Sequence, residues 1–141
     1  MSSPLSNTRI DRLGDHLKKG TVDEEDVRLL DLYRLSFSDA YHAVVSRIAD
    51  ATGVQPTGRP SKSTVSITAK LQRESIRLSQ IQDIAGCRLI VETLSEQDKL
   101  VTVLQGLFED ISVVDRREQP SNGYRAVHLI VSYLNKMIEI Q

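Results

Sequence analysis

The sequence predicts an α/β domain of the α+β kind, a mixed β-sheet with helices packed on it. Three observations predict it. Apolar residues recur every three to four positions through the first third of the chain, the spacing of an amphipathic helix. Short runs rich in Val, Ile and Leu follow at 87–91, 111–115 and 124–134, with a helical pattern between the first two. A length of 141 residues, 40% apolar and 26% charged, is enough for one hydrophobic core.

In chain order, residues 1–20 are polar and then weakly periodic (Ile10, Leu13, Leu17), which predicts a weakly structured segment or short helix ending at Gly20. Residues 21–141 form a single domain. Thr21-Val22-Asp23-Glu24 reads as a capping box. Val27, Leu30, Tyr33 or Arg34, Phe37, Tyr41, Val44 and Ile48 predict one long helix ending before Gly53. Residues 53–59, with two Gly and one Pro, read as a loop. Ser63 caps a helix running to about Arg73. A strand at 87–91 follows, then a helix capped by Ser95 and carrying Leu100, Val103, Leu104, Leu107 and Phe108. Strand 111–115, a turn-rich stretch at 119–123 and strand 124–134 lead to a tight turn at Asn135-Lys136 and a last strand.

Several classes are excluded or disfavoured. No apolar run reaches the ~20 residues that span a membrane, and Met1-Ser2-Ser3-Pro4 has no secretory pattern. The lone Cys87 fits a reducing cytoplasm and reads as a buried small hydrophobe. There is no GxxxxGK[ST] loop, no GxGxxG and no Cys/His set with zinc spacing. His16 and His42 have no visible partner and read as surface residues.

The basic stretch stands out in a chain of net charge −1. Between Gly53 and Gln80 lie Arg59, Lys62, Lys70, Arg73 and Arg77 against a single acid, Glu74. At about 100° per residue Lys62, Ser66, Lys70 and Arg73 share one helix face, with Ile67 and Leu71 opposite. Asp83 stands at the mouth of the next strand. Cations for phosphate oxygens and a carboxylate for Mg²⁺ are what polyphosphate chemistry needs. Arg88 lies inside an apolar strand, where a buried guanidinium requires a partner. If Asn135-Lys136 is the hairpin turn, Ser132 faces Glu139 and Ile130 faces Gln141; alternation then gathers Tyr124, His128, Ile130, Ser132, Glu139 and Gln141 on one polar face.

The runs GRPSKSTVSITAKLQR, IQDIAGCRLIV, NGYRAVHLIV and IEIQ, in that order, strongly resemble the synthetase domain of RelA/SpoT homologues, over about residues 58–141. The short N-terminus is similar to that of the small alarmone synthetases. The resemblance implies a nucleotidyltransferase-like fold and an ATP-dependent GTP/GDP diphosphokinase that makes (p)ppGpp and AMP. It implies that Arg59 packs on the adenine of ATP while Lys62, Ser66, Lys70 and Arg73 grip its phosphates. Asp83 and Glu139 would hold Mg²⁺ and carry catalysis, with Glu139 activating the attacking hydroxyl. Tyr124 would stack on the acceptor base, supported by Arg88, His128 and Gln141. The acceptor would be GDP or GTP; the wording of 78–88 is close to a toxin-like branch that modifies the 3′ end of tRNA instead. An antitoxin or a second copy of the chain are partners the resemblance allows. Two departures stand out. Two residues, Pro60 and Ser61, separate Arg59 from Lys62 where many members have one. The chain stops at Gln141, where the family's strand runs on as Glu-x-Gln-x-Arg-Thr into further helices, so a truncated domain that binds nucleotide without turnover is the rival reading.

Overall fold

The computed structural model describes residues 5–115 and 126–141. The elements are α1 (Asn7–Lys19), α2 (Glu24–Leu35), α3 (Ser38–Thr52), β1 (Thr57–Arg59), α4 (Thr64–Arg73), a 3₁₀ turn (Leu78–Gln80), β2 (Ala85–Arg88), α5 (Leu94–Leu107), β3 (Ile111–Asp115), β4 (Val127–Tyr133) and β5 (Lys136–Ile140). The five strands form one mixed sheet in the order β1-β2-β5-β4-β3. Only the central β2–β5 pair is parallel. The predicted α+β fold with a mixed sheet is the one observed. Among the described residues no helix is long and apolar enough to cross a membrane.

The N-terminal segment is better ordered than its weak pattern predicts. Ser6 caps α1, and Gly20, at φ 75°, ends it in the left-handed conformation that glycine adopts without strain. Ile10, Leu13 and Leu17 are buried in the common core. A helix this short is marginal alone, so its stability comes from packing, which local periodicity does not report. That packing is close: a Cβ on Gly14 would lie 2.8 Å from Leu78 Cβ.

The single long helix predicted over the next stretch is two. Its cap is Asp23, not Thr21, and the box is closed by Asp26. The break falls at Ser36 and Phe37. Ser36 Oγ donates to the Tyr33 carbonyl at 2.5 Å and Phe37 N–H turns back to Arg34 O at 3.3 Å. Phe37 is buried, and the apolar stripe continues through the bend, which is why spacing alone reads one helix. His16 is not partnerless as expected. Its Nδ1 lies 2.9 Å from Asp26 Oδ2, tying α1 to α2. Asp26 is buried, which by itself would raise its pKa. Hydrogen bonds from the Asp23 backbone N–H and from His16 outweigh burial and hold the carboxyl below its ordinary value.

The sign of the resulting pH effect follows. A depressed folded pKa contributes stability above the unfolded value of about 3.9, lost as pH falls through the folded value. Asp26→Ala is expected to cost about 1–3 kcal/mol near neutral pH, the scale of hydrogen bonds to a charged group. It should also reduce the acid-induced loss below about pH 4. Urea unfolding of wild type and variant between neutral and acid pH checks both; Asp83, which titrates in the same direction, leaves a residual slope.

Ser63 caps α4 as predicted, with Ile67 and Leu71 buried. The cap of α5 is Thr93 rather than Ser95, its side chain accepting from Glu96 N–H. The stretch that the sequence predicts as a loop contains β1, three exposed residues that form a strand through their pairing with β2. Gly58 is required there, because a Cβ would lie 1.6 Å from the Tyr41 hydroxyl oxygen. The hairpin turn is Leu134-Asn135, with φ 51° and 62°, one residue earlier than expected. Glu139 therefore pairs with Ile130, and Ser132 with Met137. The shift between strands is two residues. An even shift keeps every side chain on its predicted face.

On one face Ala85, Cys87, Leu129, Val131, Ile138 and Ile140 join the core. Cys87 is the buried hydrophobe expected; burial, and secondarily the charge of Glu139, push its thiol up to about 12. The other face carries the polar residues.

Candidate active site

The strand register builds the site. Arg59 lies opposite Gly86, Gly86 opposite Glu139, and Glu139 opposite Ile130, a row across four strands. The next row contains Thr57 opposite Arg88. Gln141 continues beside β2, with Leu89 N–H donating to its carbonyl at 2.8 Å. Thr57, Arg59, Gly86, Arg88, Glu139 and Gln141 line an open cleft. A neighbouring hollow is lined by Lys70, Glu74, Gln80, Gln82, His128, Ile130 and Glu139. Glu139 belongs to both and stands on the ridge between them. Gly86 sets the floor. A Cβ there would lie 2.9 Å from the Glu139 carbonyl oxygen and 3.5 Å from its Cβ.

Beside this face is a charge cluster. Lys62 Nζ lies 2.8 Å from Asp83 Oδ2, and Lys70 Nζ 3.1 Å from Oδ1. Arg59 Nη2 donates to the Asp83 carbonyl at 3.1 Å and is 3.7 Å from Oδ2. Burial alone would raise the Asp83 pKa; hydrogen bonds and charge from Lys62 and Lys70 prevail and lower it. Lys62 is not on the helix as predicted. It precedes the Ser63 cap, its N–H bonds Ile84 O at 2.6 Å, and its side chain is buried. It reaches the same carboxylate as Lys70 through this loop contact, not through a 100° step.

The expected residues thus fall into groups. Arg59, Lys62, Lys70 and Asp83 are together. His128 Nδ1 is 3.5 Å from Glu139 Oε2. Arg88 is exposed on the cleft face, not buried, and donates to Gln141 Oε1 at 3.1 Å. Alternation explains it: Cys87 points inward, so Arg88 points out. Ser66 is exposed and its hydroxyl is bonded to that of Ser63 at 2.9 Å. Arg73 is exposed in the last turn of α4, apart from the cluster. Tyr124 lies outside the described residues. Thr57, Glu74, Gln80 and Gln82 were missed. Thr57 was hidden by the unread β1, and the other three are exposed polar residues with no local signal.

Among the described residues no three His, Cys, Asp or Glu side chains converge as a metal site. Mg²⁺ does not need three. It is commonly held by one or two carboxylates, with substrate phosphates and water completing an oxygen shell. Asp83 lies three residues before Gly86, the neighbour of Glu139, and both side chains are hard oxygen donors of the right chemistry.

Fold and site are those of a known class: the sequence profile described as "Region found in RelA / SpoT proteins" matches residues 58–141, and the chain belongs to that family. It is 30% identical over 131 residues to GTP pyrophosphokinase YwaC of Bacillus subtilis, covering 83% of this chain and 62% of that protein. The uncharacterized protein Rv1366 of Mycobacterium tuberculosis is 33% identical over 146 residues, 98% of this chain and 53% of the relative. The chain therefore spans little more than half the length of these relatives. The crystal structure of small alarmone synthetase 1 from Bacillus subtilis superposes with TM-score 0.56 at 26% identity, over 84% of this chain and 71% of that one.

Proposed function

We propose that the domain transfers the β,γ-diphosphate of ATP to the ribose 3′-hydroxyl of GDP or GTP, giving (p)ppGpp and AMP. The observation that carries this reading is the position of Glu139, between a cleft edged by Arg59 and a hollow edged by Lys70 and His128. One carboxylate borders both depressions, which are lined by residues read for the donor (Arg59, Lys70) and for the acceptor (Arg88, Gln141, His128). In the step, the acceptor 3′-oxygen attacks the β-phosphorus and forms a new O–P bond. The bond from the β-phosphorus to the bridging oxygen of the α-phosphate breaks, and AMP leaves with that electron pair. Glu139 accepts the hydroxyl proton. Lys62 and Lys70 bind the phosphate chain and offset charge that builds on it. Arg59 flanks the donor base, and Arg88 and Gln141 hold the cleft wall. Asp83 and Glu139 would hold Mg²⁺, which when bound neutralises phosphate charge.

A ribose at the 3′ end of tRNA offers the same hydroxyl, and the likeness of 78–88 to the toxin-like branch makes tRNA the second acceptor to assay. The test is the adenine product. With ATP, Mg²⁺ and GDP, GTP or tRNA, AMP should accumulate only when an acceptor is present. ADP as the product would contradict diphosphate transfer. Tight ATP binding with no turnover on any acceptor would favour a binding module.

A further inference from the structure

Both ammonium groups assigned to phosphate rest, in the free protein, on the carboxylate assigned to the metal. Lys62 Nζ is 2.8 Å from Asp83 Oδ2 and Lys70 Nζ 3.1 Å from Oδ1, so each oxygen carries one ammonium. The Lys62 and Asp83 side chains are only 11% and 13% exposed. At that burial an unpaired charge is expensive, and two ammonium groups converging without an anion would repel. The Asp83 carboxylate thus occupies the place of a phosphate oxygen pair. A divalent cation on those oxygens would sit against two ammonium groups, and that repulsion makes the cation and the lysines compete for the carboxylate.

We infer that Asp83 is an exchangeable counter-ion coupling cation binding to phosphate binding. In the free protein it gathers and neutralises Lys62 and Lys70. When a divalent cation takes the carboxylate, the lysines are released to the phosphate chain. The inference rests on reading this cluster as the phosphate site. A triphosphate without metal meets lysines already paired and an added negative charge, and binds weakly. A purely structural ion cluster would behave differently: its lysines would stay paired whatever the metal concentration.

Two experiments test this. In the first, amine-directed labelling of the full chain without nucleotide is read by mass spectrometry, with exposed Lys18 and Lys19 as internal references. Mg²⁺ alone should raise the reactivity of Lys62 and Lys70 several-fold and leave the references unchanged. No change at Lys62 and Lys70 overturns the exchange, and this arm needs neither a variant nor a nucleotide. In the second, the affinity for ATP in EDTA is measured for wild type and Asp83→Asn. The variant should bind metal-free ATP about tenfold more tightly than wild type, within the usual range of site-to-site coupling, and lose most of the enhancement by Mg²⁺. Equal metal-free affinities overturn the inference. If ATP, with or without Mg²⁺, never protects Lys62 and Lys70 from labelling, the phosphate-site reading fails instead, while the effect of Mg²⁺ alone still decides the exchange.

Discussion

Glu139→Gln is expected to lower the rate of diphosphate transfer by about 10³-fold while leaving the fold intact, in line with the 10²–10⁴ contributed by a positioned general base. The substitution is nearly isosteric and removes the proton acceptor. Glu139 is held only loosely by its neighbours. Its side chain is 21% exposed and its Oε2 lies 3.5 Å from His128 Nδ1, longer than a strong charge-assisted bond. Its backbone pairing with Gly86 and Ile130 is untouched. The change in unfolding free energy should stay within about 1 kcal/mol, the scale of a long, partly buried ion pair replaced by an isosteric amide. Steady-state AMP release and urea unfolding of the same preparation check the two halves. A variant that retains a tenth or more of wild-type activity would remove Glu139 from the role of base.

The second large effect is at Gly86. A Cβ there would meet the Glu139 carbonyl oxygen at 2.9 Å, which is backbone and cannot swing aside. Gly86→Val adds an isopropyl group between Arg59 and Glu139, in the floor of the cleft. The expected cost is about 1–3 kcal/mol of stability, the range for overpacking, together with loss of measurable transfer because the Glu139 strand is pushed away. Gly106→Ala is the control: nothing lies within 4 Å of its added Cβ, and in the last turn of α5 it should be neutral or stabilise by less than about 1 kcal/mol. Thermal unfolding and AMP release of the two variants separate them. Wild-type activity in Gly86→Val would show that the close approach of β2 and β5 has no bearing on the site.

Much of the site was legible because its residues advertise themselves. Asp83 is a lone acid in a basic stretch, and Glu139 is a carboxylate in an alternating strand. The polar face survived an error in the turn because strand alternation has a period of two and the slip was even. Ser63 announced α4 by side-chain chemistry that works locally. What was not legible depends on contacts distant in sequence. β1 exists because Arg59 pairs with Gly86, and its three residues carry no pattern of their own. α1 is ordered because Ile10, Leu13 and Leu17 enter a core that the first twenty residues do not contain. The break at Ser36 leaves the apolar stripe continuous. The pairing of both lysines with Asp83 belongs to the same kind. Sequence placed cations and carboxylate in one neighbourhood, but only the fold shows that Lys62 reaches Asp83 from a loop fixed by its N–H bond to Ile84.

The measurement that tests the account most directly follows the β-phosphorus of ATP. The chain is incubated with ATP labelled at that position, Mg²⁺ and GDP, GTP or tRNA, and the products are separated. The account predicts that the β label moves with the γ-phosphate to the 3′-oxygen of a guanosine nucleotide, with one AMP formed for each diphosphate transferred. Label that stays in ADP or appears as free pyrophosphate, with none on GDP, GTP or tRNA, would contradict it.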